Sequence, residues 1–171
     1  MCIKLIYGTY TGNTENVIDN ILLSVLEDNG FQVETIGVHT VTPEDWNHDK
    51  FILGIPTWYD GELQSDWEDY FNLFKAISFK DKTVAIFGLG DQLGYDEWFC
   101  DGVGILAKVV IENGGKVIGL TEKDDTYELE ETPKSLVDDS TFYGLCLDED
   151  NQGELTQQRL EKWITQIKEV F

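Results

Sequence analysis

The sequence predicts an α/β fold, a doubly wound five-stranded parallel sheet in one domain spanning residues 1–171. Three observations predict it. Short apolar runs suited to strands alternate with longer runs of helical apolar spacing along the chain. The strand runs are apolar on both faces, as in Phe51-Ile52-Leu53-Gly54-Ile55, which places helices on both sides of the sheet. Glycine- and threonine-rich turns follow these strands, where an open parallel sheet forms its ligand crevice.

The elements follow in order. Cys2 to Tyr7 is the first strand. Asn13 to Asp28 is a helix, with Val17, Ile18, Ile21, Leu22, Val25 and Leu26 at helical spacing and Asn29-Gly30 as its C-cap. Phe31 to Val38 is the second strand. Thr42-Pro43-Glu44-Asp45 reads as a helix start, with Thr at the N-cap and Pro first inside. The third strand is Phe51 to Ile55. Gln64 to Ile77 is a helix carrying Trp67, Tyr70, Phe71 and Phe74 on one side. Thr83 to Phe87 is the fourth strand, Phe99 to Asn113 a helix stopped by Gly114-Gly115, and Lys116 to Leu120 the fifth strand. The polar, acidic stretch 121–141 interrupts that strand as an insertion, and Phe142 to Leu147 resumes it. Leu155 to Val170 is the last helix, with Leu160, Trp163, Ile164 and Ile167 inward.

Composition narrows the function. Twelve basic residues against 33 acidic ones leave a net charge of −21. Such a surface repels phosphate backbones and anionic lipid, so nucleic acid and membrane insertion are not expected, and basic protein partners are. No apolar run approaches the roughly 18 residues of a membrane span. The N-terminus has no basic region or cleavage site of a signal peptide. Cys2, Cys100 and Cys146 are dispersed, which suits reduced thiols in a cytoplasmic protein. Neither they nor His39 and His48 form a metal-ligand cluster. His39 falls in a linker, His48 near a strand start, and Cys100 on a helix, so no acid, base or nucleophile stands out and the chain is expected to be a carrier, not an enzyme.

Three turns carry the chemistry. Thr9-Tyr10-Thr11-Gly12-Asn13-Thr14 lies between the first strand and first helix, where backbone N–H groups and threonine hydroxyls can cradle a phosphate. It holds no Lys or Arg, unlike a nucleotide-triphosphatase loop, and is not G-x-G-x-x-G. Uncharged dipoles of this kind suit one terminal phosphate monoester. Pro56-Thr57-Trp58-Tyr59-Asp60-Gly61-Glu62 follows the third strand and offers a large aromatic plate, Trp58, on a loop. Gly88-Leu89-Gly90-Asp91-Gln92-Leu93-Gly94-Tyr95 follows the fourth, keeps its backbone close to a ligand, and offers a second plate in Tyr95. A cradle and two aromatic plates fit a flat aromatic ring on a phosphorylated tether, the shape of flavin mononucleotide (FMN).

These motifs, with Gly61-Glu62-Leu63-Gln64-Ser65-Asp66-Trp67 and Leu145-Cys146-Leu147-Asp148-Glu149-Asp150-Asn151-Gln152, closely resemble those of long-chain flavodoxins, and the resemblance covers essentially the whole chain. It implies strand order 2-1-3-4-5 and non-covalent FMN. It places the phosphate on Thr9, Thr11, Gly12, Asn13 and Thr14, with Tyr10 flanking. Trp58 would stack on the inner ring face and Tyr95 on the outer. Pro56, Thr57, Tyr59, Asp60, Gly61, Gly88, Leu89, Gly90, Asp91 and Gln92 belong to the two turns against ring and ribityl chain. The insertion at 121–141 is what marks a long-chain member.

The implied function is a low-potential one-electron carrier replacing ferredoxin. It would be a monomer serving basic partners such as ferredoxin–NADP⁺ reductase and ferredoxin-dependent acceptors. The acidic residues Asp60, Glu62, Asp66, Glu68, Asp69, Asp91, Asp96 and Glu97 cluster around the ring turns. One carboxylate about 10 Å away at an effective dielectric near 40 costs an added negative charge about 0.8 kcal/mol. The enzyme alternative on the same fold is a flavin-dependent NAD(P)H:quinone reductase, which would need a nicotinamide or quinone pocket. A phosphorylated receiver domain is not expected, because the first strand runs into Gly8-Thr9 and the third into Pro56-Thr57 instead of acidic residues.

Overall fold

The structure, a computed structural model, describes residues 2–58 and 60–171. Strand β1 (Cys2–Tyr7) has a core of Ile3, Leu5 and Ile6, each fully buried. Helix α1 (Asn13–Val17) follows a tight turn at Gly12 and passes through a π turn at Ile18–Leu22 into α2 (Leu23–Asp28). The predicted single helix 13–28 is thus one continuous rod with an i→i+5 turn inside it. Strand β2 (Gln32–Gly37) pairs in parallel with β1 and forms one edge of the sheet.

The start predicted at Thr42 makes a short 3₁₀ turn, Pro43–Asn47, not a full helix. A capping box forms between Thr42 and Asp45. The chain enters β3 (Lys50–Trp58) three residues later, leaving no room for a longer helix. This strand is longer than predicted and pairs with β1 on one side. Its end folds back as a hairpin, with Thr57 opposite Leu63 and Trp58 opposite Glu62 in β4 (Glu62–Leu63). Helix α3 (Ser65–Phe74) then packs Trp67 and Phe74 into the core.

Strand β5 (Thr83–Leu89) lies against β3 in register from Lys50↔Thr83 to Pro56↔Leu89. Helix α4 (Asp101–Glu112) begins just after Cys100, which sits in a left-handed conformation (φ 54°) before the helix and not on it. Strand β6 (Lys116–Ile118) pairs with the first half of β5. The insertion builds a small antiparallel sheet from β7 (Thr121–Glu122), β8 (Leu136–Asp138) and β9 (Thr141–Phe142), in order β7-β9-β8. Strand β10 (Leu145–Leu147) then pairs with the second half of β5. The fifth strand is therefore split in two, while the stretch read as its resumption divides between two sheets. Helix α5 (Glu149–Gln152) and helix α6 (Thr156–Lys168) complete the chain.

The main sheet runs β10-β5-β3-β1-β2, with β6 also beside β5. Counting β6 and β10 as one interrupted strand, this is the 2-1-3-4-5 order. Each face carries its own core. Trp46, Trp67, Phe74, Val103 and Leu106 pack beneath α3 and α4, and Val17, Ile18, Leu22, Trp163 and Ile164 beneath α1, α2 and α6. Each fully buried Leu, Ile or Phe contributes about 1.5–3 kcal/mol, and together these two layers fix the sheet edge on which the site is built.

Candidate functional site

The C-terminal ends of the adjacent strands β1, β3 and β5 open into a cleft of about 420 Å³. Thr9, Tyr10, Thr11, Asn13, Thr14, Pro56, Thr57, Trp58, Leu89, Gly90, Asp91 and Tyr95 line it, so residues from all three predicted turns meet there. Trp98, Phe99, Glu149 and Asp150 line it as well, and sequence reasoning assigned them no role.

The first turn is a neutral cradle at a helix start. Gly12 holds φ 85° with nothing within 4 Å of where a Cβ would stand, so the conformation and not crowding selects glycine here. No side chain caps α1, and amides of a first helical turn have no intrahelical acceptors. The Gly12 N–H donates to Thr9 Oγ1 at 3.1 Å, which leaves the Thr9 hydroxyl proton directed elsewhere. Thr14 is 1% exposed and its hydroxyl has no hydrogen-bond partner in the structure. An unpaired buried polar group costs about 1–3 kcal/mol, so this hydroxyl calls for a ligand. Gln64 props the turn from behind: its Nε2 donates to Thr9 O at 3.3 Å while its Oε1 accepts from Trp67 N, capping α3. Gly8 must be glycine, because a Cβ would stand 2.1 Å from Gln64 Oε1.

The second turn is a braced hairpin. Trp58 is half-buried and is met edge-on by Tyr10, with centroids 4.5 Å apart and planes at 89°. It therefore sits at a paired strand end, not on the free loop predicted for it. Thr57 Oγ1 accepts from Gly102 N at 3.0 Å, tying the strand end to the start of α4. Asp60 is exposed, and Gly61 is buried behind the cleft wall with φ 78°. Tyr59 lies outside the described residues.

The third turn is held by carboxylates. Asp91 accepts from Gly94 N, Leu93 N and Asn151 Nδ2. Burial pushes its carboxyl up, but these donors outweigh burial and hold it below the usual range. Asp148, fully buried, accepts from Asn151 N and Gln92 N. Gln92 turns inward, where its Oε1 accepts from Glu128 N at 2.7 Å, so it fastens the turn to the insertion and does not line the cleft. Gly88 is likewise buried in β5, packed against Val103 and Ile55 O. Burial, then the neighbouring Asp91 and Asp148, push the Asp150 carboxyl up. Tyr95 is 41% exposed at the rim.

Elsewhere, the chemistry is quiet. Burial and the adjoining Cys146 push the Cys100 thiol well up, which suppresses its nucleophilic thiolate. His39 lies 3.7 Å from Asp66 and His48 3.6 Å from Glu34, both away from the cleft. Among the described residues, no helix is long and apolar enough to cross a membrane and no cluster of three His, Cys, Asp or Glu could hold a metal ion.

The flavodoxin family profile matches residues 5–163. A flavodoxin of Haemophilus influenzae is 42% identical over 166 residues, covering 96% of this chain and 92% of that protein. Flavodoxin 1 of Escherichia coli K12 is 41% identical over 169 residues, covering 96% and 92%. The crystal structure of Fusobacterium nucleatum flavodoxin bound to flavin mononucleotide superposes with a TM-score of 0.90 at 36% identity, covering 99% of this chain and 98% of that one. With a parallel sheet in 2-1-3-4-5 order, a cleft at the matching strand ends and these relatives across nearly its full length, the chain belongs to the flavodoxin family.

Proposed function

We propose that the cleft binds FMN non-covalently and that the chain is a low-potential one-electron carrier of the long-chain type, acting as one unit over 1–171. The observation that carries this reading is the buried Thr14 hydroxyl without a partner, set in a cradle whose lining contains no Lys, Arg or His. A terminal phosphate would accept from Thr14, from the Thr9 and Thr11 hydroxyls and from the amides that open α1. Trp58, Tyr95 and Trp98 supply apolar aromatic surface for a flat ring, and Tyr10 would cover the indole edge. FMN, when bound, accepts two electrons one at a time. The chain's part is to hold the ring dry between aromatic walls and to set carboxylates beside it: Asp91, Glu149 and Asp150 line the cleft, and Asp60, Glu62 and Glu97 are exposed nearby in sequence. These charges disfavour added negative charge on the ring, which drives the second reduction to lower potential.

The same surface suits basic redox partners such as ferredoxin–NADP⁺ reductase and ferredoxin-dependent acceptors, in the cytoplasm, with the chain a monomer. Titrating FMN into apoprotein tests the reading. Its fluorescence is expected to fall to a one-to-one endpoint, with two separate one-electron steps on stepwise reduction of the complex. Absence of binding overturns the proposal, as does NADPH oxidation with a quinone in the absence of any reductase.

A further inference from the structure

Asp101 is a buried carboxylate that does not line the cleft. It is 1% exposed, and it stands at the start of α4 between two segments far apart in sequence. Its Oδ1 accepts from the backbone N–H of Lys134, in the insertion, at 2.6 Å. Its Oδ2 has no hydrogen-bond partner and faces the turn of the Trp58 hairpin: a Cβ built on Gly61 would stand 2.6 Å from it and 2.9 Å from Trp98 Cδ1. The next residue, Gly102, donates its N–H to Thr57 in the same hairpin. The approach there is close, since a Cβ on Gly102 would stand 3.0 Å from Ile55 Cδ1 and 3.2 Å from Thr57 Oγ1. The first two residues of α4 therefore meet the hairpin at its strand end and at its turn, and Trp58 lies between those points.

We propose that Asp101 is a positioning residue that braces the Gly61 turn from beneath, joins it to the insertion, and thereby fixes the Trp58 wall of the cleft. The acceptor Oδ2 is placed to receive the Gly61 N–H. This inference rests on the cleft being an FMN site. It gives the insertion a task, since Lys134 and Ser135 clamp the start of α4: Ser135 Oγ donates to Phe99 O at 2.6 Å while the Lys134 N–H holds Asp101. The charged groups facing Asp101 are Lys134 on the insertion, whose Nζ is 3.8 Å from Oδ2, Lys108 on α4 and Glu97 in the preceding turn. Burial raises its carboxyl above the ordinary 3.8, against the pull of Lys134 and Lys108. Acidification should thus neutralise the brace before it protonates ordinary carboxylates.

Asp101→Asn isolates the atom in question. The amide can keep its oxygen toward the Lys134 N–H and turn its NH₂ toward Gly61, replacing an acceptor with a donor in the same shape. Riboflavin reports on the ring walls alone, and inorganic phosphate on the cradle alone. The variant is expected to bind riboflavin roughly tenfold more weakly with phosphate affinity unchanged, and to lose the part of the wild-type pH dependence of riboflavin binding that Asp101 confers. Lys134→Ala keeps the backbone donor but removes the ammonium, and is expected to move the pH midpoint of riboflavin binding upward. A lowered melting temperature with riboflavin affinity and pH profile unchanged overturns the inference. So does a Lys134→Ala profile that superposes on wild type, which decides the matter even where the asparagine variant does not fold. Wild-type protein that takes up neither FMN nor riboflavin removes the FMN reading itself, an outcome distinct from both.

Discussion

At the scale of single residues, the site depends on polar atoms left open for a ligand. Thr14 is the sharpest case. Its hydroxyl is buried without a partner, so it costs stability in the empty protein and returns that cost only when an acceptor arrives. Thr14→Val has nearly the same shape and no hydroxyl. The apoprotein is expected to be as stable as wild type or slightly more so. FMN affinity is expected to fall by about ten- to a hundredfold, the range for a hydrogen bond to a charged group, while riboflavin affinity stays the same. Parallel fluorescence titrations with the two ligands and a urea melt check this, and an equal loss for both ligands would show that Thr14 shapes the ring site instead. Gln64 acts one step removed: by holding Thr9 O it forces glycine at position 8 and fixes where the cradle starts.

At the scale of elements, strands and helices were legible from apolar periodicity because both sheet faces are covered. What escaped was set by contacts between distant segments. The helix start at Thr42 was readable from its Thr N-cap and following Pro, but not the contact with Lys4 that anchors it. Asp45, the acid of the capping box, also meets Lys4 Nζ at 2.7 Å on β1, and this ties the short turn to the sheet before β3 begins. Lys4 is buried, which alone would lower its pKa, but Asp45 and Glu34 raise it. Hydrogen bonding to Lys4, then to the Thr42 backbone, lowers the Asp45 carboxyl from 3.8 to about 2. A folded value below the unfolded one means the contribution is complete above about pH 4 and fades as pH falls toward 2. Asp45→Asn is therefore expected to destabilise the protein at pH 7 by on the order of 1 kcal/mol, discounted for solvent screening. The gap from wild type should close near pH 2, as denaturant melts at both pH values would show. The site follows the same pattern. The three turns could be read because each is local, with a distinctive run of Gly, Thr or aromatic residues. Trp98, Phe99, Glu149 and Asp150 could not: Trp98 and Phe99 sit in the short turn just before α4, outside any distinctive run, and the topology brings Glu149 and Asp150 to the cleft from beyond the insertion. Trp58 looked like a loop residue because its partner, Glu62, lies across a turn that apolar periodicity does not reveal.

At the scale of the whole molecule, the net charge of −21 acts on everything that approaches the cleft. A dianionic phosphate must enter a protein of its own sign, and the cleft lining offers it no Lys, Arg or His while presenting Asp91, Glu149 and Asp150. Affinity must then come from short-range dipoles, and the long-range field opposes arrival. The field reaches roughly 30 Å at 0.01 M salt and about 3 Å at 1 M. Raising ionic strength is therefore expected to speed FMN association several-fold while leaving neutral riboflavin unchanged. A basic redox partner, attracted by the same field, should associate more slowly. Stopped-flow fluorescence across a salt series separates the three behaviours. An FMN on-rate that falls with salt would mean that a cation guides the phosphate, and the neutral-cradle account of this cleft would then be wrong.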